Sequence, residues 1–319
     1  MNARVENPCY VESMITSLTP ERLSSSVLAV PPLCRNADFT LDEAENAKLI
    51  RHIESGGIRT LLYGGNANFY HIATSEFDAM FDMLARLSAE DTLVIPSVAP
   101  TFGTMMDQAK IVRRHKFPTV MVLPLVGSTT SHGVELGVRK FVDAAGVPAL
   151  LYIKNDGYIE VEEVARLAES KAISGIKYAV VRNDTANDPH LRKLVDHVDR
   201  KLIVSGIGEQ PAVTHLRDFK LAGFTSGVVC VAPRISFEML KAMRRGDWST
   251  ADRLRAVCKP LEDLRNAINP VRVLHEAVRL AGIANTGPML PLLTNLDETD
   301  LSRVREAPVT LLQANNEIA

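Results

Sequence analysis

The sequence predicts an α/β fold, a (β/α)8 barrel of the TIM type with an appended C-terminal helical segment, from three observations. Short apolar runs begin at Val27, Ile58, Thr92, Thr119, Pro148, Ile173, Lys201 and Gly227. These starts span 200 residues, and a step of about 29 is the length of one strand plus one helix. No GxGxxG follows the first run and the repeat continues past six strands, which disfavours an open doubly wound sheet.

Residues 1–23 read as an N-terminal arm, with Glu6 and Glu12 interrupting anything like the apolar core of a signal peptide. The first strand, 26–31, ends at Pro31-Pro32, which a central strand does not continue through. A helix over 41–56 carries Ala47, Leu49, Ile50 and Ile53 at helical spacing, stops at Gly56-Gly57 and leads into strand 58–63. The pattern then repeats as helix 75–87 and strand 92–98, helix 105–115 and strand 119–123, helix 133–145 and strand 148–153. Helix 161–171 precedes the sixth strand, 172–179, helix 189–198 precedes strand 201–205, and helix 212–221 precedes strand 227–231. An eighth helix, 237–245, completes a barrel over 24–246. Helices at 248–257 and 271–280 belong to an appended segment, 247–305, and 306–319 reads as a loose polar tail.

With 36 Lys+Arg against 38 Asp+Glu there is no charge bias towards nucleic acid or a membrane surface. No run approaches the length of a membrane span. Cys9, Cys34, Cys230 and Cys258 form no CxxC pair, and the eight histidines form no HxxxH pair. Disulfides and metal sites are therefore not expected, and the chain reads as cytoplasmic.

Lys177 stands at the end of the otherwise apolar strand Ala172-Ile173-Ser174-Gly175-Ile176-Lys177-Tyr178-Ala179. A buried ammonium without a partner is costly, so such a lysine tends to a lowered pKa and a neutral amine, as a Schiff-base nucleophile requires. The bland alternative is a strand-end lysine reaching out to solvent. Tyr152, near the end of the fifth strand, has the same two readings: a hydroxyl at the barrel axis or a packed aromatic. Strand two ends in Gly64-Gly65-Asn66-Ala67-Asn68, whose backbone N–H groups suit a carboxylate, with Asn66 and Asn68 as further donors. Strand seven ends in Ser205-Gly206-Ile207-Gly208, where glycine permits close approach of a ligand.

Taken in order, these residues resemble the dihydrodipicolinate synthase and N-acetylneuraminate lyase family of Schiff-base aldolases, over about 24–293. The resemblance implies that Lys177 forms an imine with a 2-oxo acid such as pyruvate and that Tyr152 relays protons. It also implies that Gly65 and Asn66 hold the substrate carboxylate and that Gly206 and Ile207 border the pocket. No cofactor is implied, and the assembly would be a homotetramer, a dimer of dimers, with Val273, Leu274, Val278 and Leu280 offering apolar surface. Three departures stand out. The hydroxyl pair of the glycine loop is absent, Leu125 stands where the synthase has a relay tyrosine, and 154–157 carries Lys154 instead of an arginine. The expected activity is therefore a lyase, aldolase or dehydratase, that is not a true dihydrodipicolinate synthase and prefers an uncharged partner. His132, after strand four, is a candidate replacement for the relay tyrosine. A barrel that only binds or senses a keto acid is the alternative, and a phosphate-binding isomerase ranks below both.

Overall fold

The computed structural model describes residues 18–318. Cys9 and most of the expected N-terminal arm lie outside the described residues. Nine short strands form one parallel sheet: β1 (Leu28–Ala29), β2 (Thr60–Leu62), β3 (Leu93–Ile95), β4 (Ser97–Val98), β5 (Val120–Val122), β6 (Ala149–Ile153), β7 (Ile173–Tyr178), β8 (Ile203–Ser205) and β9 (Gly223–Ser226). Their order is β3-β2-β1-β9-β8-β7-β6-β5-β4. The two ends of that list, β3 and β4, flank Pro96 and are halves of one barrel position. A proline has no N–H to give to a ladder, so the strand breaks there. Tyr63 N still donates to Ile95 O at 2.9 Å and Met121 N to Pro96 O at 2.8 Å, which closes the barrel on both sides of the break.

After a short first helix, α1 (Pro20–Leu23), the outer ring consists of α2 (Glu43–Ser55), α3 (Phe77–Leu87), α4 (Phe102–Val112), α5 (Ser131–Ala145), α6 (Val161–Glu169), α7 (Pro189–His197), α8 (Glu209–Asp218) and α9 (Pro233–Arg244). Each carries an apolar stripe, such as Leu49, Ile50 and Ile53 on α2, buried against the strands. The strands are apolar nearly throughout because both faces are covered, one by the barrel interior and one by helices. No described helix is long and apolar enough to cross a membrane.

Three sequence expectations are corrected. The eighth strand is Gly223–Ser226, not 227–231, and Val228–Cys230 is a 3-10 turn whose Val229 N–H donates to Ser226 Oγ at 2.9 Å. The Val-Val-Cys run is apolar because it is fully buried, and apolar runs of that length do not separate strand from turn. The helix expected to stop at 257 runs on as α10 (Trp248–Ala267), with Pro260 inside it on the exposed side. Helices α11 (Pro270–Leu280) and α12 (Glu298–Val304) follow.

The supposed loose tail is also ordered, as α13 (Glu306–Glu317), with Pro308, Leu311 and Asn315 buried. The Asn315 side-chain oxygen accepts from the N–H of Arg234 at 2.9 Å, which supplies α9 with the cap that Ala232 cannot. Val273, Leu274 and Val278 are fully buried within the chain, so they leave no spare surface for assembly. The appended helices consume that apolar area by packing on one another and on α9.

Candidate active site

At the carboxyl ends of the strands a cavity of about 420 Å³ opens, and Lys177 and Tyr152 both line it. In parallel pairing Tyr152 on β6 stands in register with Lys177 on β7, so the two side chains leave the same face of neighbouring strands. The lysine Nζ sits 4.2 Å from the centroid of the Tyr152 ring. Lys177 is only 8% exposed. Burial, and after it the positive charges of Lys154 and Arg265, bring its pKa down to about 7. Burial alone pushes the Tyr152 phenol up to about 12, so it stays a proton donor through the neutral range.

Gly206 is fixed by close approach. Its N–H donates to Tyr178 O at 2.6 Å, and a Cβ there would fall 2.9 Å from Lys177 Cγ. Any side chain would displace the lysine stem. Ile207 and Lys154 also line the cavity.

The strand-two loop is a single 3-10 turn, Gly65–Ala67. Ala67 N donates to Gly64 O and Asn68 N to Gly65 O, both at 3.0 Å, while the N–H groups of Gly65 and Asn66 meet no acceptor among the described residues. Two free, adjacent N–H groups at a cavity wall suit an anion. Both asparagines line the cavity; the Asn66 amide N–H is engaged within the chain, whereas the buried Asn68 Nδ2 has no partner among the described residues. Asn66 Nδ2 donates to Val30 O at 3.1 Å, and Asn68 is buried with its Oδ1 accepting from Leu290 N at 3.2 Å. His275 on α11 braces the loop through Nε2 to Asn66 O at 3.1 Å. Its burial brings its pKa down to about 4, so it stays a neutral donor.

His132 does not reach the site. It lies in the first turn of α5 with its side chain 80% exposed, and its Nδ1 is 3.7 Å from Glu135 Oε2. His132 is not among the residues that line the cavity. Leu125 faces a separate apolar groove between α4 and α5. His132, Glu135 and Glu163 form the one set of potential metal ligands among the described residues. Glu135 there is already held by Arg166 at 2.6 Å and Arg139 at 3.0 Å.

Tyr70, Glu262 and Arg265 are among the cavity residues that the sequence did not single out. Tyr70 lies beyond the glycine loop, with its ring 3.7 Å from where a Gly65 Cβ would stand. Glu262 and Arg265 come from the half of α10 beyond Pro260. Their only advance signal was the helical spacing of Leu254, Cys258, Leu261 and Arg265, which the proline masked. Loop 154–157 carries no arginine, as expected, but Arg265 places a guanidinium in the cavity lining from a different element.

The family model described as the dihydrodipicolinate synthetase family matches residues 24–307. A probable 5-dehydro-4-deoxyglucarate dehydratase of Rhizobium meliloti is 28% identical over 295 residues, covering 86% of this chain and 92% of that relative. A 4-hydroxy-tetrahydrodipicolinate synthase of Pseudomonas putida is 25% identical over 293 residues, covering 89% and 96%. Among solved structures, dihydrodipicolinate synthase from Bacillus clausii superposes with a TM-score of 0.81 at 24% identity, covering 91% of this chain and 98% of that one.

Proposed function

The chain belongs to the dihydrodipicolinate synthetase family, and from that premise we propose that it is a lyase that works on a 2-oxo acid through a Schiff base on Lys177. The carrying observation is the pair Lys177 and Tyr152, in register on adjacent strands with Nζ 4.2 Å over the ring, in a cavity that also offers two unpaired N–H groups. The neutral amine attacks C2 of the 2-oxo acid, and the carbonyl oxygen leaves as water once protonated. The resulting protonated imine accepts the electron pair released when a proton is lost from C3 or a neighbouring carbon–carbon bond breaks. In a dehydration the enamine then expels hydroxide from C4, which a proton turns into water. The Tyr152 hydroxyl, without a hydrogen-bond partner among the described residues, is the group that carries these protons. Gly65 and Asn66 N–H groups hold the C1 carboxylate. No step requires a cofactor.

Dehydration or aldol cleavage of a hydroxylated 2-oxo acid is the favoured chemistry. The synthase's second tyrosine is replaced by Leu125, which lines a different groove, and a broken relay raises the barrier of a condensation that needs it. Purified protein should turn over a panel of hydroxylated 2-oxo acids while condensing pyruvate with aspartate semialdehyde below about 10⁴ M⁻¹s⁻¹, the low end of ordinary enzyme efficiency. Efficient condensation would restore the synthase reading. No turnover of any panel member, with the imine still trapped, would favour a barrel that only binds a keto acid.

Assembly is proposed as a homotetramer built from dimers. The supporting surface is not the C-terminal helices but the groove of about 690 Å³ between α4 and α5, flanked by Phe102 and Leu136, which are 54% and 49% exposed. Large apolar side chains around one concave face fit a second copy of the chain. Light scattering should give a multimer at micromolar concentration, and Phe102→Asp should shift it towards smaller species. A monomeric wild-type protein would reject the proposal.

A further inference from the structure

We propose that Arg265, from the appended helix α10, selects a substrate with a second carboxylate, so that the 2-oxo acid of this site is a diacid. The inference rests on the lyase reading for the position of the 2-oxo end.

Arg265 is 9% exposed and lines the cavity. Its Nε donates to Pro270 O at 3.2 Å, and its two terminal nitrogens meet no acceptor among the described residues. A guanidinium buried without a carboxylate loses its hydration and gains no compensating ion pair. The nearby candidate, Glu262, lies one helical turn earlier and lines the same cavity, where the two charges feel each other, but it makes no ion pair or hydrogen bond with Arg265. Its two oxygens accept from Glu209 N at 3.2 Å and Gln210 N at 2.9 Å, where they hold the start of α8. The free edge of Arg265 is a planar fork that matches a carboxylate, and Lys154 adds positive charge at the exposed rim of the same cavity.

The place of the fork in the barrel sets the length of the ligand. Its head packs against Gly227, just past β9, where a Cβ would lie 2.6 Å from one terminal nitrogen. The N–H pair at Gly65 and Asn66 follows β2, and β1 alone separates β2 from β9. Two strand spacings are about 10 Å. A chain of about five or six carbons, with one hydrogen bond at each end, spans that gap. A C1 carboxylate on the glycine loop and a terminal carboxylate on Arg265 then leave C2 between them, within the reach of Lys177.

The test is titration calorimetry with two five-carbon probes, 2-oxoglutarate and 2-oxopentanoate, which differ only in the terminal carboxylate. Wild-type protein should bind the diacid roughly 10²-fold more tightly, the worth of a charge-assisted hydrogen-bonded pair. Arg265→Gln should bring the ratio near unity, and Arg265→Lys should restore part of it. Gly227→Ala, which keeps the charge but pushes the guanidinium aside, should also lower the ratio and covers the case in which Arg265→Gln folds poorly. A wild-type protein without preference for the diacid, or a preference that survives Arg265→Gln, overturns the proposal. So does a fall in Tm with the ratio intact, which would make Arg265 a counter-ion for Glu262 alone. Equilibrium binding is read without turnover. A collapsed ratio with no trapping at Lys177 would therefore refute the imine reading and leave this inference standing.

Discussion

Pyruvate and borohydride together should leave a reduced adduct on Lys177, and Lys177→Ala should abolish both adduct and turnover. The effect is expected to be the largest of any single substitution, because no other described amine lines the cavity except Lys154 at its exposed rim. The pH dependence follows from the lowered pKa. Lys177 titrates near 7 instead of 10.5, so near neutral pH its neutral fraction is about 10³-fold larger than that of an ordinary lysine, at tenfold per unit. Below pH 7 the amine is protonated and trapping should fall about tenfold per unit; above it the rate should level off. A trapping rate still climbing tenfold per unit at pH 9 would mean that Lys177 is an ordinary lysine. An unmodified Lys177 peptide after treatment with a panel of 2-oxo acids would sink the mechanism.

Changing Tyr152 to Phe should lower turnover by about 10²- to 10⁴-fold, the range for a positioned acid or base. The fold should survive, since the hydroxyl makes no hydrogen bond among the described residues and the ring that underlies the lysine is kept. Tm should therefore move little. Imine trapping should decline less than turnover, because attack by a neutral amine needs less proton transfer than the elimination after it. Near-wild-type turnover in the Tyr152→Phe protein would reduce the residue to packing.

The two residues proposed to react were legible because their signals are local. A strand alternates faces with a period of two, so a lysine and a tyrosine at the ends of adjacent parallel strands must share a face once register is set. The eightfold repeat was legible for the same reason: each strand and helix announces itself within a dozen residues. Local patterns failed where burial, not secondary structure, dictated composition. Val228 and Val229 looked like a strand but form a turn, and the helix expected to stop at 257 runs on through Pro260, which sits on a solvent-facing side that tolerates it.

What the sequence alone determined is the barrel, the lysine near the end of its sixth strand and the tyrosine on the strand beside it. Tertiary structure alone decided what surrounds them. It brought in Arg265 and Tyr70, left His132 on the surface, tied Asn66 Nδ2 to Val30 O and Asn68 Oδ1 to Leu290 N, and folded the last described residues into a helix that caps α9. The physical reason is range. Strand and helix periodicities are properties of neighbouring residues, whereas the side chains that complete a cavity come from segments packed together by burial across the whole chain, and no short window records which of them will face inward.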